Sequence, residues 1–151
     1  MGRRARNAPR RAPDRGAALE RLILDTTILV AAERRSLNLD DLIGDEDDVA
    51  IAAVTAAELL VGVKLADARR RKNREAFVED VLAIVPIEAY DLAVARAHAG
   101  LLAHTQRTGR SRGAHDLVIA ATAVDRERTV VTVDSAGFDD LLGVSVRATG
   151  T

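Results

Sequence analysis

Four acidic residues stand where apolar, strand-like segments give way to helix-like segments. Asp25 follows LIL, Glu58 lies within VTAAELL, Asp116 opens DLVIAATA and Asp134 follows TVVTV. In an open α/β sheet such junctions line the crevice at the carboxyl ends of the strands, where ligands bind. Carboxylates gathered there repel one another unless a cation lies between them, and an all-oxygen set favours Mg²⁺ or Mn²⁺. Since these ions promote phosphoryl chemistry, the pattern predicts a metal-dependent enzyme that acts on phosphodiesters.

The segments around these acids alternate between strand and helix patterns. Helices are predicted to open at Thr55 and at Asp116. Short apolar runs predict five strands, at residues 22–24, 49–53, 85–87, 129–133 and 144–146. Strands that are apolar throughout and alternate with helices indicate a parallel sheet covered on both faces. The sequence therefore predicts one α/β domain over residues 21–151.

The composition excludes several other kinds of site. The chain has no cysteine, which excludes disulfides, thiolate catalysis and cysteine-ligated zinc. Aromatic residues make up only 2 %, which argues against binding RNA bases on aromatic platforms but leaves phosphate contacts open. No apolar run approaches the roughly 18 residues that span a bilayer. No secretory signal is recognisable at the N-terminus, so a cytoplasmic location is expected.

The charge is unevenly distributed along the chain. The net charge is −1, yet residues 1–21 carry seven arginines against Asp14 and Glu20, which makes them +5 and leaves −6 for the rest. Residues 1–20 are rich in arginine and proline and lack apolar periodicity, so they are predicted to be a disordered basic extension. Two interpretations remain open: an arm that binds nucleic acid, or a dispensable tail, which we favour.

Each of the four acids also has a structural interpretation. Aspartate at a strand-to-helix turn is a favoured N-cap, and this applies to Asp25, Asp116 and Asp134. Thr55 and Glu58 match a capping box, in which the glutamate reaches back to the threonine amide, and on spacing alone this is the stronger interpretation of Glu58. Independent caps would more often be Ser, Thr or Asn. Four acids at successive junctions therefore favour a shared functional role.

The acidic segments together resemble the PIN-domain ribonucleases, in particular the VapC toxins of bacterial toxin–antitoxin pairs. The resemblance covers residues 22–148 and rests on LDTTILVA, on TAAEL with its leucine three residues before a glycine, on DLVIAATA and on VVTVDSAGF. It implies a PIN-like three-layer α/β/α fold with a parallel sheet of four to five strands in the order 3-2-1-4-5. It also implies that Mg²⁺ or Mn²⁺ is bound by the acidic quartet Asp25, Glu58, Asp116 and Asp134.

Further residues are assigned through the same resemblance. Thr27 and Thr132 match hydroxyl positions that support the acidic site. His115 stands where the family often has asparagine, and we expect it to orient a neighbouring carboxylate. Gly137 stands where a further aspartate often precedes the phenylalanine. Apart from the resemblance, Arg110 and Arg112 lie in the loop shortly before Asp116, and this closeness in sequence makes them the predicted contacts to substrate phosphates.

The resemblance implies a cytoplasmic toxin that cleaves cellular RNA, transfer or ribosomal RNA above all, with a metal-activated water. It further implies a homodimer and a cognate VapB-type antitoxin that inhibits it. The alternative left open is a degenerate, non-catalytic PIN-like module that binds RNA or protein. Binding of a divalent ion, and its loss in Asp25→Asn, would distinguish the two.

Overall fold

The computed structural model describes residues 19–149 of the 151-residue chain. The predicted basic extension, residues 1–20, lies outside the described residues except for Leu19 and Glu20. The strands are β1 (Arg21–Leu24), β2 (Asp48–Ala52), β3 (Ile87–Glu88), β4 (Thr129–Thr132) and β5 (Val146–Ala148). The helices are α1 (Thr26–Glu33), α2 (Leu39–Leu42), α3 (Ala53–Leu65), α4 (Ala68–Ile84), α5 (Leu92–Thr108) and α6 (Ala114–Arg126). A 3₁₀ helix, Ser135–Phe138, follows β4.

All neighbouring strands pair in parallel, in the order β3-β2-β1-β4-β5. The predicted parallel sheet and its order 3-2-1-4-5 are confirmed. Because the carboxyl ends of parallel strands meet at one edge, the segments that follow β1, β2 and β4 are neighbours in space. Among residues 19–149 no helix is both long enough and apolar enough to cross a bilayer.

The central strands bury side chains on both faces of the sheet. Ile23 and Val130 pack with residues of α5 and α6 on one face. Leu22, Leu24 and Val131 pack with residues of α1, α3 and α4 on the other. Successive side chains of a strand point to opposite faces, so two separate cores form from one sheet. The predicted three-layer α/β/α arrangement is therefore present.

The two outer strands begin later than predicted. Pro86 has no N–H to donate, and only its carbonyl oxygen joins the sheet, accepting from the Ile51 amide at 3.0 Å. Strand β3 accordingly begins at Ile87. At the other edge Gly143 has a φ of 75°, and the Val144 amide donates back to the Leu141 carbonyl at 3.2 Å. This turn delays β5 beyond residue 144.

Candidate active site

Asp25 is a buried carboxylate at the end of β1, with 4 % of its surface exposed. Its Oδ1 accepts a hydrogen bond from the Thr26 amide at 2.8 Å, so the predicted N-cap of α1 is present. Its Oδ2 accepts from the hydroxyl of Thr27 at 2.9 Å and from that of Thr132 at 2.8 Å. The cap and the hydroxyl contacts together hold both oxygens in one orientation.

The two threonines that hold Asp25 are themselves held by the backbone that leaves β4. The Val133 amide donates to Thr27 Oγ1 at 3.2 Å, and the Asp134 amide donates to Thr132 Oγ1 at 3.0 Å. Both residues predicted to support the site therefore lie against it. Their hydroxyls join the turn after β1 to the turn after β4.

Glu58 does not form the capping box that its spacing suggests. Helix α3 follows β2 without a loop and begins at Ala53, so Thr55 lies inside the first turn, fully buried, and cannot be the N-cap. Glu58 instead accepts a hydrogen bond from Thr26 Oγ1 on its Oε1 at 2.5 Å. Its Oε2 lies 2.6 Å from Nδ1 of His115. The capping interpretation is wrong because strand and helix are continuous here.

Asp116 is not an N-cap either. Helix α6 begins at Ala114 with Gly113 as its N-cap, so Asp116 sits within the first turn. Its carboxylate lies between two glycines: a Cβ on Gly113 would stand 3.2 Å from Oδ2, and one on Gly137 only 2.5 Å. Neither glycine has a positive φ, so their missing side chains, rather than their backbone freedom, are what this arrangement requires.

Burial raises the pKa of Asp116 from 3.8 to about 6, and three neighbouring carboxylates add to the effect. In decreasing order these neighbours are Asp25, Glu58 and Asp134, while His115 acts in the opposite direction. Each contribution requires proximity, because Coulomb interactions weaken with distance and screening. The four predicted acids therefore lie near one another, and the other three all raise the pKa of Asp116.

Asp134 lies at the margin of this group. It is exposed, and its Oδ1 caps the 3₁₀ helix by accepting from the Ala136 amide at 3.1 Å. The other three acids line one cleft of about 470 Å³. The rest of its wall is formed by Thr26, Thr27, Val30, Ala31, Arg34, Ser36 and Val133.

Sequence reasoning missed three polar residues of this cleft, Thr26, Arg34 and Ser36. A signal was available for two of them. Thr26, Val30 and Arg34 recur every four residues along α1, which places them on one face of the helix. Since Asp25 caps that helix, the face that carries Thr26 was a candidate wall of the site.

The two predicted substrate-binding arginines are engaged with the chain itself. Arg112 donates to the carbonyl oxygen of Ala136 at 2.7 Å and also to that of Asp139. Arg110 forms an ion pair with Asp140. Both guanidinium groups thus hold the segment around the 3₁₀ helix, and neither lines the acidic cleft. Their contact with substrate phosphates stays a prediction.

The donor chemistry fits a hard divalent cation. The cleft offers carboxylate and hydroxyl oxygens, and besides burial, the carboxylates of Asp25, Glu58 and Asp134 raise the pKa of Asp116. Within residues 19–149, however, no three His, Asp or Glu side chains stand together as a closed set of metal ligands. Glu58 is turned toward Thr26 and His115, and Asp116 rests against Gly137.

Comparison with known proteins agrees with this architecture. The PIN domain family model matches residues 22–141. The chain is 36 % identical over 127 residues to Ribonuclease VapC5 of Mycobacterium tuberculosis, covering 82 % of this chain and 92 % of that protein. It is 27 % identical over 118 residues to a Ribonuclease VapC of Rickettsia bellii, covering 78 % and 87 %.

Solved structures show the same relationship. The crystal structure of VapBC-5 from Mycobacterium tuberculosis matches with a TM-score of 0.70 at 34 % identity, covering 85 % of this chain and 98 % of that one. VapBC2 from Rickettsia felis, bound to a promoter DNA fragment, matches with a TM-score of 0.78 over the same shares, and at 20 % identity it shows the fold alone. With its sheet order, its convergent acids and these relatives, the chain belongs to the PIN-domain family and to the VapC group within it.

Proposed function

We propose that this chain is a divalent-metal-dependent endoribonuclease and the toxin of a type II toxin–antitoxin pair. The observation that carries the proposal is that Asp25, Glu58 and Asp116 line one cleft, where burial and mutual repulsion raise the pKa of Asp116 to about 6. Such a site gains stability from a cation. The relatives named as ribonucleases support RNA as the substrate, and we propose cytoplasmic transfer or ribosomal RNA.

We assign Asp25 and Asp116 as direct ligands of Mg²⁺ or Mn²⁺, with Glu58 and Asp134 completing the site or orienting water. A bound ion of this kind would polarise a phosphate oxygen and lower the pKa of a water molecule. The chain's own contribution is orientation. Two hydroxyls fix Asp25, while a hydroxyl and His115 hold the two oxygens of Glu58. Groups held in this way need little rearrangement when substrate arrives.

A cognate VapB-type antitoxin is the second part of the proposal. Relatives of this chain occur in VapBC complexes. The chain leaves apolar side chains of α3 and α4 in solvent: Val61 is 51 % exposed, Leu65 80 % and Ile84 78 %. We propose that these helices contact the antitoxin, that a basic antitoxin residue enters the acidic cleft, and that the toxin is a homodimer. If an antitoxin that lacks its basic C-terminal segment inhibits as well as the full-length protein, the insertion of a basic residue is wrong.

The test of activity uses the purified protein, freed of any co-purified partner, incubated with total cellular RNA and Mg²⁺ or Mn²⁺. Controls contain EDTA or the Asp116→Asn variant. Discrete fragments that disappear in both controls would support a metal-dependent endoribonuclease, and mapping their ends would identify the substrate. RNA that stays intact at high protein concentration, while calorimetry detects metal binding, would favour the non-catalytic PIN-like module instead.

A further inference from the structure

We infer that Arg34 binds an RNA phosphate that flanks the one being cleaved, an inference that rests on the proposed function. RNA and the cleft that would receive it are both negatively charged, so they repel each other. Residues 22–151 carry a net charge of −6, and the cleft that would receive a polyanion is lined by three carboxylates. A metal would offset charge at the scissile phosphate, but the neighbouring phosphates need a cation of their own.

Arg34 is placed to supply that cation. Among the described residues that line the acidic cleft it is the only basic one. It lies at the C-terminal end of α1, two helical turns from Thr26 and about 12 Å along the axis, given the 1.5 Å rise per residue. Helical side chains tend to lean toward the N-terminus of their helix, and the N-terminus of α1 is the end that Asp25 caps.

The backbone at Arg34 is held by a Schellman-type C-cap. Arg35 adopts the left-handed conformation, with φ at 64°. Its amide donates to the carbonyl of Ala32 at 3.1 Å, and the Ser36 amide donates to that of Ala31 at 2.9 Å. This pair of bonds satisfies two of the carbonyls in the last turn of the helix. Arg34 is thus carried by a fixed helix end rather than by a loop.

The guanidinium of Arg34 is also available. Within residues 19–149 it makes no ion pair and no side-chain hydrogen bond, although three acids share its cleft. Arg110 and Arg112 differ in this respect, since their guanidinium groups are bonded to Asp140 and to backbone carbonyls. A planar guanidinium presents a fork of donors that matches a phosphate. Arg34 therefore combines position, charge and unused donors.

The salt dependence of RNA binding tests the inference. The probe is a fluorescein-labelled single-stranded RNA of 12 nucleotides and mixed sequence. Its binding is measured by fluorescence anisotropy in a buffer that contains Ca²⁺. A gel run after each titration checks that the RNA is still intact. Each phosphate contact on a single strand contributes about 0.7 to the slope of log binding constant against log salt concentration. Arg34→Gln should lower that slope by about 0.7 and weaken binding about tenfold, as expected for lost hydrogen bonds to a charged group. Arg34→Lys should keep the slope.

Arg35→Asn is the matched control. It removes the same charge one residue away, and asparagine tolerates the left-handed conformation found there. Arg35 lines a different cleft, with Leu37 and Phe77, so the slope should not change. An equal decrease of slope and affinity in both variants would overturn the inference, because it would come from the lost net charge rather than from a contact made by Arg34.

The remaining outcomes separate the inference from the proposed function. A wild-type protein that binds and cleaves RNA, with an unchanged slope in Arg34→Gln, overturns the role of Arg34 alone. A wild-type protein that neither binds nor cleaves RNA overturns both. Thermal melting of each variant, followed by circular dichroism, establishes that the comparison is made between folded proteins.

Discussion

The Oδ2 atom of Asp116 lies 2.5 Å from the point where a Cβ on Gly137 would stand. Real side chains do not approach so closely, so the carboxylate occupies the space that any other residue at 137 would fill. The resemblance to the PIN-domain ribonucleases implies an aspartate at this position, where this chain has Gly137. The structure gives this glycine a role, because it leaves space for the carboxylate of Asp116, whose pKa is raised to about 6.

Gly137→Ala should displace the Asp116 carboxylate while leaving the fold intact, since the group that must move is the end of a side chain. We expect weaker Mn²⁺ binding by isothermal titration calorimetry. Turnover should fall by about 10²-fold, the scale expected for an ångström of misplacement. Gly100→Ala is the control: a Cβ there meets nothing within 4 Å, and alanine in α5 should add about 0.5–1 kcal/mol to the free energy of unfolding. If Gly137→Ala binds Mn²⁺ as tightly as wild type does, Gly137 is not needed to make space for the Asp116 carboxylate.

Asp116→Asn should make the metal-free protein more stable at neutral and alkaline pH. The folded pKa of Asp116, about 6, lies above the ordinary 3.8, so ionisation of this group opposes folding at every pH above 6. As the pH falls through 6 toward 3.8 the folded protein takes up the proton and the penalty disappears. Urea unfolding in EDTA between pH 4 and pH 8 should therefore show an advantage for the variant that shrinks with acidification.

In Mn²⁺ the wild-type protein should instead be more stable than Asp116→Asn. A ligand that binds only the folded state stabilises it, and wild type keeps the carboxylate that the variant lacks. A stability difference that is the same at all pH values would show that the pKa of Asp116 is not raised.

His115→Ala should reduce cleavage by releasing Oε2 of Glu58, which lies 2.6 Å from the imidazole. Loss of a residue that orients a metal ligand lowers metal affinity or activity by about 10-fold or more. His115→Asn should retain more activity than His115→Ala, because the amide can still donate to the carboxylate. Steady-state cleavage rates of the three proteins at saturating Mg²⁺ provide the measurement, and equal rates for both variants would count against an orienting role.

Arg112→Ala separates the structural role seen here from the predicted contact to phosphate. Loss of the bonds to the carbonyls of Ala136 and Asp139 should lower the free energy of unfolding by about 1.5–3 kcal/mol, the range for hydrogen bonds to a charged group. Arg112→Lys should not restore it, because an ammonium lacks the planar fork. The salt slope of RNA binding tests the predicted contact of Arg112 with phosphate. A slope lower by about 0.7 in Arg112→Ala would support that contact, and a wild-type slope would contradict it.

Much of the architecture was predictable because its causes are local. Burial on both faces makes the runs around Ile23 and Val130 apolar throughout, and this is visible without any knowledge of partners. The closeness of the four acids was predictable as well, since parallel strands bring their carboxyl ends to one edge of the sheet. The caps at Asp25 and Asp134 were also correct, because a cap depends on residues one or two positions away.

The sequence by itself determined the class of fold and the convergence of four carboxylates, both of which follow from periodicity and strand ends. Only the tertiary structure decided what each polar group contacts. Glu58 contacts a histidine 57 residues away instead of the threonine amide that its spacing predicted, and Arg112 donates to carbonyls more than 20 residues away along the chain. Side-chain partners of this kind are chosen by distance and donor geometry after the backbone has folded, and a pattern of spacing along the chain does not contain that information.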